Sequence, residues 1–105
     1  MSESSRIKVL VAEDETHLGS LLEQFLTSRG HDVTVVRDGA QALATLRGEA
    51  FDVALLDIVM PRLDGLEVLR HLREESAPPE VIIITGNGTV ETAIGAMRLG
   101  AYDYL

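Results

Sequence analysis

The feature that most constrains this chain is an alternation. Five short apolar runs rich in β-branched residues are separated by four stretches with helical apolar spacing. Ile7–Ala12, Val33–Val36, Val53–Leu56 and Val81–Ile84 read as buried strands, and Tyr102–Leu105 begins a fifth. Between the first two, Leu18, Leu21, Leu22, Phe25 and Leu26 recur at i, i+3, i+4, i+7 and i+8. That is one apolar helical stripe, read as core, and Gly30 is placed to end it. Ala40, Leu43 and Leu46 predict a second helix after Asp38-Gly39, and Leu66, Leu69 and Leu72 a third. Val90, Ala93, Ile94 and Met97 predict a fourth, with Thr89 as its N-cap and Gly100 at its end. Gly95 inside it weakens it by about 1 kcal/mol relative to Ala, either as a mobile element or to permit close packing.

Strands alternating with helices imply an α/β fold: a doubly wound parallel sheet joined by right-handed crossovers, with helices on both faces. Periodicity leaves two strand orders open. One is a flavodoxin-like 2-1-3-4-5, and the other is half of a dinucleotide-binding fold. In both, ligands bind at the carboxyl ends of the strands. No glycine-rich phosphate loop follows the first strand, which argues against dinucleotide binding.

Composition then removes whole classes of function. The 105 residues carry 9 Lys+Arg against 17 Asp+Glu, a net charge of −8. Such a surface is unsuited to gripping nucleic acid directly or to docking on an anionic membrane. The chain has no cysteine, so thiol chemistry and disulfides are excluded. No apolar run is long enough to span a bilayer, and the polar start Met1–Ser5 has no signal-peptide core. The expectation is a tail over residues 1–5 and one soluble, cytoplasmic domain over 6–105. His17, His31 and His71 are scattered and are expected to be solvated, with no metal pair among them.

The carboxyl ends of the strands hold the chemistry. The first strand runs into Glu13-Asp14, the third into Asp57, and the fourth into Thr85-Gly86. In the order 2-1-3-4-5 the first and third strands are neighbours, so three carboxylates converge. Two carboxylates about 4 Å apart repel by roughly 4 kcal/mol at an effective dielectric of 20, so a cluster of three calls for a cation. Hard oxygen donors with open positions favour Mg²⁺. A carboxylate beside that ion can act as a nucleophile toward phosphorus, and Asp57 is the best placed. Glu13 and Asp14 suit metal holding, and the Thr85 hydroxyl can donate to a phosphoryl oxygen. The blander alternative makes Glu13-Asp14 a helix N-terminal acid pair and Thr85 an ordinary loop hydroxyl.

At these residues the chain resembles the receiver domain of bacterial two-component response regulators. The resemblance runs from about Ile7 to Leu105. It rests on Val11-Ala12-Glu13-Asp14-Glu15, Leu56-Asp57-Ile58-Val59-Met60-Pro61 with Asp64-Gly65, Ile84-Thr85-Gly86, and Gly100-Ala101-Tyr102-Asp103-Tyr104-Leu105. Residues 85–93 look most like receivers of enhancer-binding activators of the nitrogen-regulation type. The resemblance implies order 2-1-3-4-5 and phosphotransfer from a sensor histidine kinase to Asp57. It makes Asp14 a direct Mg²⁺ ligand, Glu13 a ligand through water, and the backbone carbonyl of Val59 the remaining protein ligand. Thr85 becomes the switch hydroxyl and Tyr104 the switch aromatic. The implied role is a phosphoacceptor controlling transcription rather than an enzyme acting on a separate substrate.

In two respects the chain departs from the pattern. The family carries a Lys shortly after the fifth strand and then a fifth helix, and this sequence stops before both. The expectation is therefore a receiver lacking its last helix, marginally stable or self-associating through the uncovered surface. The competing reading is a non-phosphorylatable interaction or dimerisation module. A Mg²⁺ phosphatase is disfavoured, because the residue two beyond Asp57 is Val59 and not an acid.

Overall fold

The computed structural model describes residues 6–58, 60, 62–84 and 90–105, with the side chains at 90–93 and 104 outside that description. Among these residues five strands alternate with four helices. They are β1 (Lys8–Ala12), α1 (Thr16–Ser28), β2 (Asp32–Val36), α2 (Gly39–Gly48), β3 (Val53–Asp57), α3 (Gly65–Leu72), β4 (Glu80–Ile84), α4 (Val90–Arg98) and β5 (Asp103–Tyr104). The strands form one sheet in the order β2-β1-β3-β4-β5, and every pairing is parallel. Of the two orders left open by periodicity, the flavodoxin-like one is correct.

Each helix boundary has a local cause. The α1 C-terminus is closed by Gly30 at φ 90°, with Gly30 N–H donating to Thr27 O and His31 N–H to Leu26 O. Gly100, at φ 94°, closes α4 in the same way, its N–H reaching Met97 O and that of Ala101 reaching Ala96 O. Only a residue without a β-carbon takes that left-handed turn at no steric cost. Asp38 and Asp64 cap α2 and α3 by accepting from Gln41 N and Glu67 N. The Thr89 cap and the loop 85–88 lie outside the described residues.

The two faces of the sheet are unequal. Leu10, Ala12, Ala54, Leu56, Val81 and Ile83 point one way and are buried. They pack with Ala42 and Leu43 of α2, Val68, Leu69 and Leu72 of α3, and Ala96 of α4. On the other face Val9 and Val11 are buried, while Val53, Leu55, Ile82 and Ile84 are only half-buried.

Helix α1 corrects the expectation that its leucines are core. Its one buried residue is Gly19; Leu18, Leu21 and Phe25 are 40%, 50% and 55% exposed. The helix lies so close over β1 and β2 that a glycine faces them, a methyl there sitting 3.5 Å from Val35 Cγ1. Of the apolar stripe, Leu22 and Leu26 are half-buried, while Leu18, Leu21 and Phe25 are turned outward. The same holds for α4, where Ile94 and Met97 are about half exposed and Ala96 is the inward residue. A methyl at Gly95 would meet open space among the described residues, so close packing is not the reason for that glycine. His31 is not simply solvated either: it is half-buried, and its Nδ1 accepts from Ile7 N at 3.2 Å.

Candidate phosphoacceptor and metal site

The register of β1 on β3 builds the site. Val9 pairs with Val53, and the pairing runs in step to Ala12 with Leu56. One step further along both strands stand Glu13 and Asp57. Strand β1 has β2 on its other side, so the connections leave β1 and β3 in opposite directions. A crevice opens at such a switch point, beyond the carboxyl ends of the strands. Glu13 is tied down by its own N–H to Val36 O at 3.0 Å, and Asp57 is paired with Ile84 of β4.

Carboxylate oxygens of Glu13, Asp14 and Asp57 lie within 4.8 Å of one another. Glu13 is buried, Asp57 half-buried and Asp14 exposed. The consecutive acids after β1 do different work. Glu13 turns into the crevice, where it accepts from Glu15 N–H at 3.0 Å. Glu15 caps α1, accepting from His17 N at 3.2 Å and Leu18 N at 2.6 Å. The helix-capping job that sequence offered to Glu13-Asp14 thus belongs to Glu15, which leaves the pair before it available for the crevice.

The electrostatics follow from this crowding. The Glu13 carboxyl is pushed up from 4.5 to about 7. Burial is the largest cause; the Glu15 N–H opposes it, and the hydrogen bond and charge of Asp57, with the charge of Asp14, add to it. Three carboxyl groups this close, one of them with its pKa raised by burial and by its acidic neighbours, form a donor set suited to a hard divalent cation.

The site floor depends on a glycine. A methyl at Gly65 would overlap the Asp57 carbonyl oxygen and stand 3.0 Å from its carbon, while Gly65 N–H donates to Ile58 O at 3.1 Å. Helix α3 therefore starts directly against the backbone that carries Asp57. In the sequence Asp64-Gly65 counts as part of the motif that carries the resemblance; the contact of Gly65 with Asp57 is a product of the fold.

Of the expected site residues, Glu13, Asp14 and Asp57 are brought together. Val59 and Thr85 lie outside the described residues. Tyr104 has its backbone in β5, paired with Ile83, and its side chain lies outside the description.

Residues 9–105 match the response regulator receiver domain family. This chain is a receiver domain. It is 39% identical over 101 residues to the transcriptional regulatory protein TcrA of Mycobacterium tuberculosis, a match covering 96% of this chain and 40% of that protein. It is 41% identical over 101 residues to the C4-dicarboxylate transport transcriptional regulatory protein DctD of Pseudomonas aeruginosa, covering 96% of this chain and 22% of that one. Among solved structures, the receiver domain of the Francisella response regulator 1452 superposes with a TM-score of 0.88 at 34% identity, covering 94% of this chain and 82% of that one. The receiver thus spans well under half the length of these two transcriptional regulators. Among its described residues, no helix is long and apolar enough to cross a membrane.

Proposed function

We propose that this receiver domain accepts a phosphoryl group on Asp57 from a phosphohistidine of a sensor kinase and passes the resulting change to a transcriptional output. The observation that carries the reading is the meeting of Glu13, Asp14 and Asp57 oxygens at the switch point of the sheet. The donor set suits Mg²⁺, which Asp14, Asp57 and Glu13 would hold; by resemblance Asp14 would be a direct ligand and Glu13 would act through water. Once bound, Mg²⁺ would offset negative charge on the transferring oxygens. An Asp57 carboxylate oxygen attacks phosphorus; the P–N bond breaks, the P–O bond forms, and the electron pair leaves with the imidazole. A bound cation would favour the ionised form of Glu13. By resemblance, the Val59 carbonyl completes the protein ligands, the Thr85 hydroxyl meets a phosphoryl oxygen, and Tyr104 follows the switch. The new phosphate, with a charge of about −1.5 to −2, would then favour a different arrangement of α4 and its neighbours. The resemblance of residues 85–93 supports an output of the nitrogen-regulation enhancer-binding type.

Isothermal titration with Mg²⁺ tests the site. Wild type should give a binding heat that Asp57→Ala loses; identical heats from the two would reject it.

A second reading is favoured by one observation. Leu18, Leu21 and Phe25 on α1 and Ile94 and Met97 on α4 are 40–55% exposed. Apolar side chains left open in this way suit an interaction module, including a homodimer.

A further inference from the structure

Arg62 and Leu63, just ahead of α3, are gripped from the side by the entrance of α2. Asp38 is one of two buried charged residues among those described. Its Oδ1 caps α2 by accepting from Gln41 N at 2.8 Å, and its Oδ2 faces Arg62 Nε at 3.4 Å. Arg62 sits between β3 and α3 and is the one described non-glycine residue with a left-handed backbone, at φ 73°. One residue along on each side, α2 and this segment touch without a side chain between them: a methyl at Gly39 would overlap the Leu63 carbonyl oxygen. The far end of the segment is fixed by Gly65 against the Asp57 carbonyl.

A left-handed arginine is strained, and such strain persists where the surroundings hold it. The surroundings here are the Asp38 carboxylate and the Gly39–Leu63 backbone contact. An exposed guanidinium on a carboxylate contributes little to global stability. Its effect is therefore to be sought locally, in the segment it holds.

We propose that Asp38 and Arg62 are a positioning pair for the acidic cluster: their contact pins the β3–α3 segment onto α2 and thereby fixes Asp57 relative to Glu13 and Asp14. Neither residue touches the phosphoryl group or the cation. The inference rests on the metal and phosphoacceptor reading of the cluster and adds two residues 24 positions apart in sequence, which meet only where α2 packs beside Arg62 and Leu63.

Two substitutions separate the contact from folding. Arg62→Gly removes the guanidinium and also the backbone strain. Asp38→Asn removes the charge and keeps the helix cap. Both should leave the thermal midpoint within a few degrees of wild type. Both should speed amide hydrogen exchange at Ile58, Leu63 and Gly65 in the metal-free chain and weaken Mg²⁺ binding about tenfold, the size expected for groups that orient ligands. The double variant should be no worse than either single one, as for partners in one contact. Arg62→Lys, which keeps the charge, should retain most of the Mg²⁺ affinity. Unchanged exchange and unchanged affinity in Arg62→Gly, with wild type binding Mg²⁺ normally, would overturn the positioning role alone. A wild type that binds no Mg²⁺ would overturn the reading of the cluster, and the positioning role with it.

Discussion

Glu13 is the residue on which the site can be interrogated by pH. Its carboxyl, raised to about 7, keeps a proton in the folded chain that the unfolded chain loses near 4.5. Between those values the folded state binds more protons, so stability falls as pH rises. The contribution is fully present below about 4.5 and gone above about 7, a difference on the order of 3 kcal/mol. Metal-free urea melts at pH 5 and pH 8 should show this loss in wild type and a much smaller one in Glu13→Gln. Adding Mg²⁺ at pH 8 should restore stability to wild type, because the cation takes over the role of the proton. Gly65 offers a steric test of the same site. Gly65→Ala places a methyl in the space of the Asp57 carbonyl. It should cost about 2 kcal/mol or more and weaken Mg²⁺ binding, read by melting and titration on the same sample.

At the scale of elements, α1 and α4 differ from α2 and α3 in what they bury. Helices α2 and α3 present Leu43, Val68, Leu69 and Leu72 to the fully covered face of the sheet. Among the described residues, the fully buried one in α1 is Gly19 and in α4 is Ala96, with Leu22 and Leu26 half-buried. A helix that meets the sheet through small residues lies close to it and leaves its larger apolar side chains at the flanks. The stripe Leu18–Leu26 was legible as a helix, and its helical nature is correct. Its burial was not legible, because periodicity gives the apolar face of a helix and not the direction in which that face is turned. Gly95→Ala should stabilise the chain by about 1 kcal/mol, since the added methyl meets open space among the described residues and alanine favours helix. A thermal melt of the variant decides this; a lower midpoint would point to a contact at that position.

At the scale of the whole molecule, one face of the sheet is sealed by three helices and the other is covered by α1 over β1 and β2. Val53, Leu55, Ile82 and Ile84 remain half-buried there. Together with Leu18, Leu21 and Phe25 they provide the apolar surface for the interaction-module reading. If that surface joins two copies, the sedimentation coefficient should rise with concentration in wild type and stay at the monomer value in Phe25→Glu. A wild type that remains a monomer throughout would reject self-association.

The order of elements, the strand ends and the three acids were all readable before any coordinates, because period-2 and period-3.6 patterns and strand-terminal carboxylates are local properties of the chain. Strand adjacency was not local, and it decided the site. Glu13 and Asp57 are 44 residues apart, and only the parallel register of β1 on β3 sets them side by side. The proton held by Glu13, the glycine beneath Asp57 and the grip of Asp38 on Arg62 come from the same source. Each arises where two distant segments exclude water or each other, and a one-dimensional pattern carries no record of that contact.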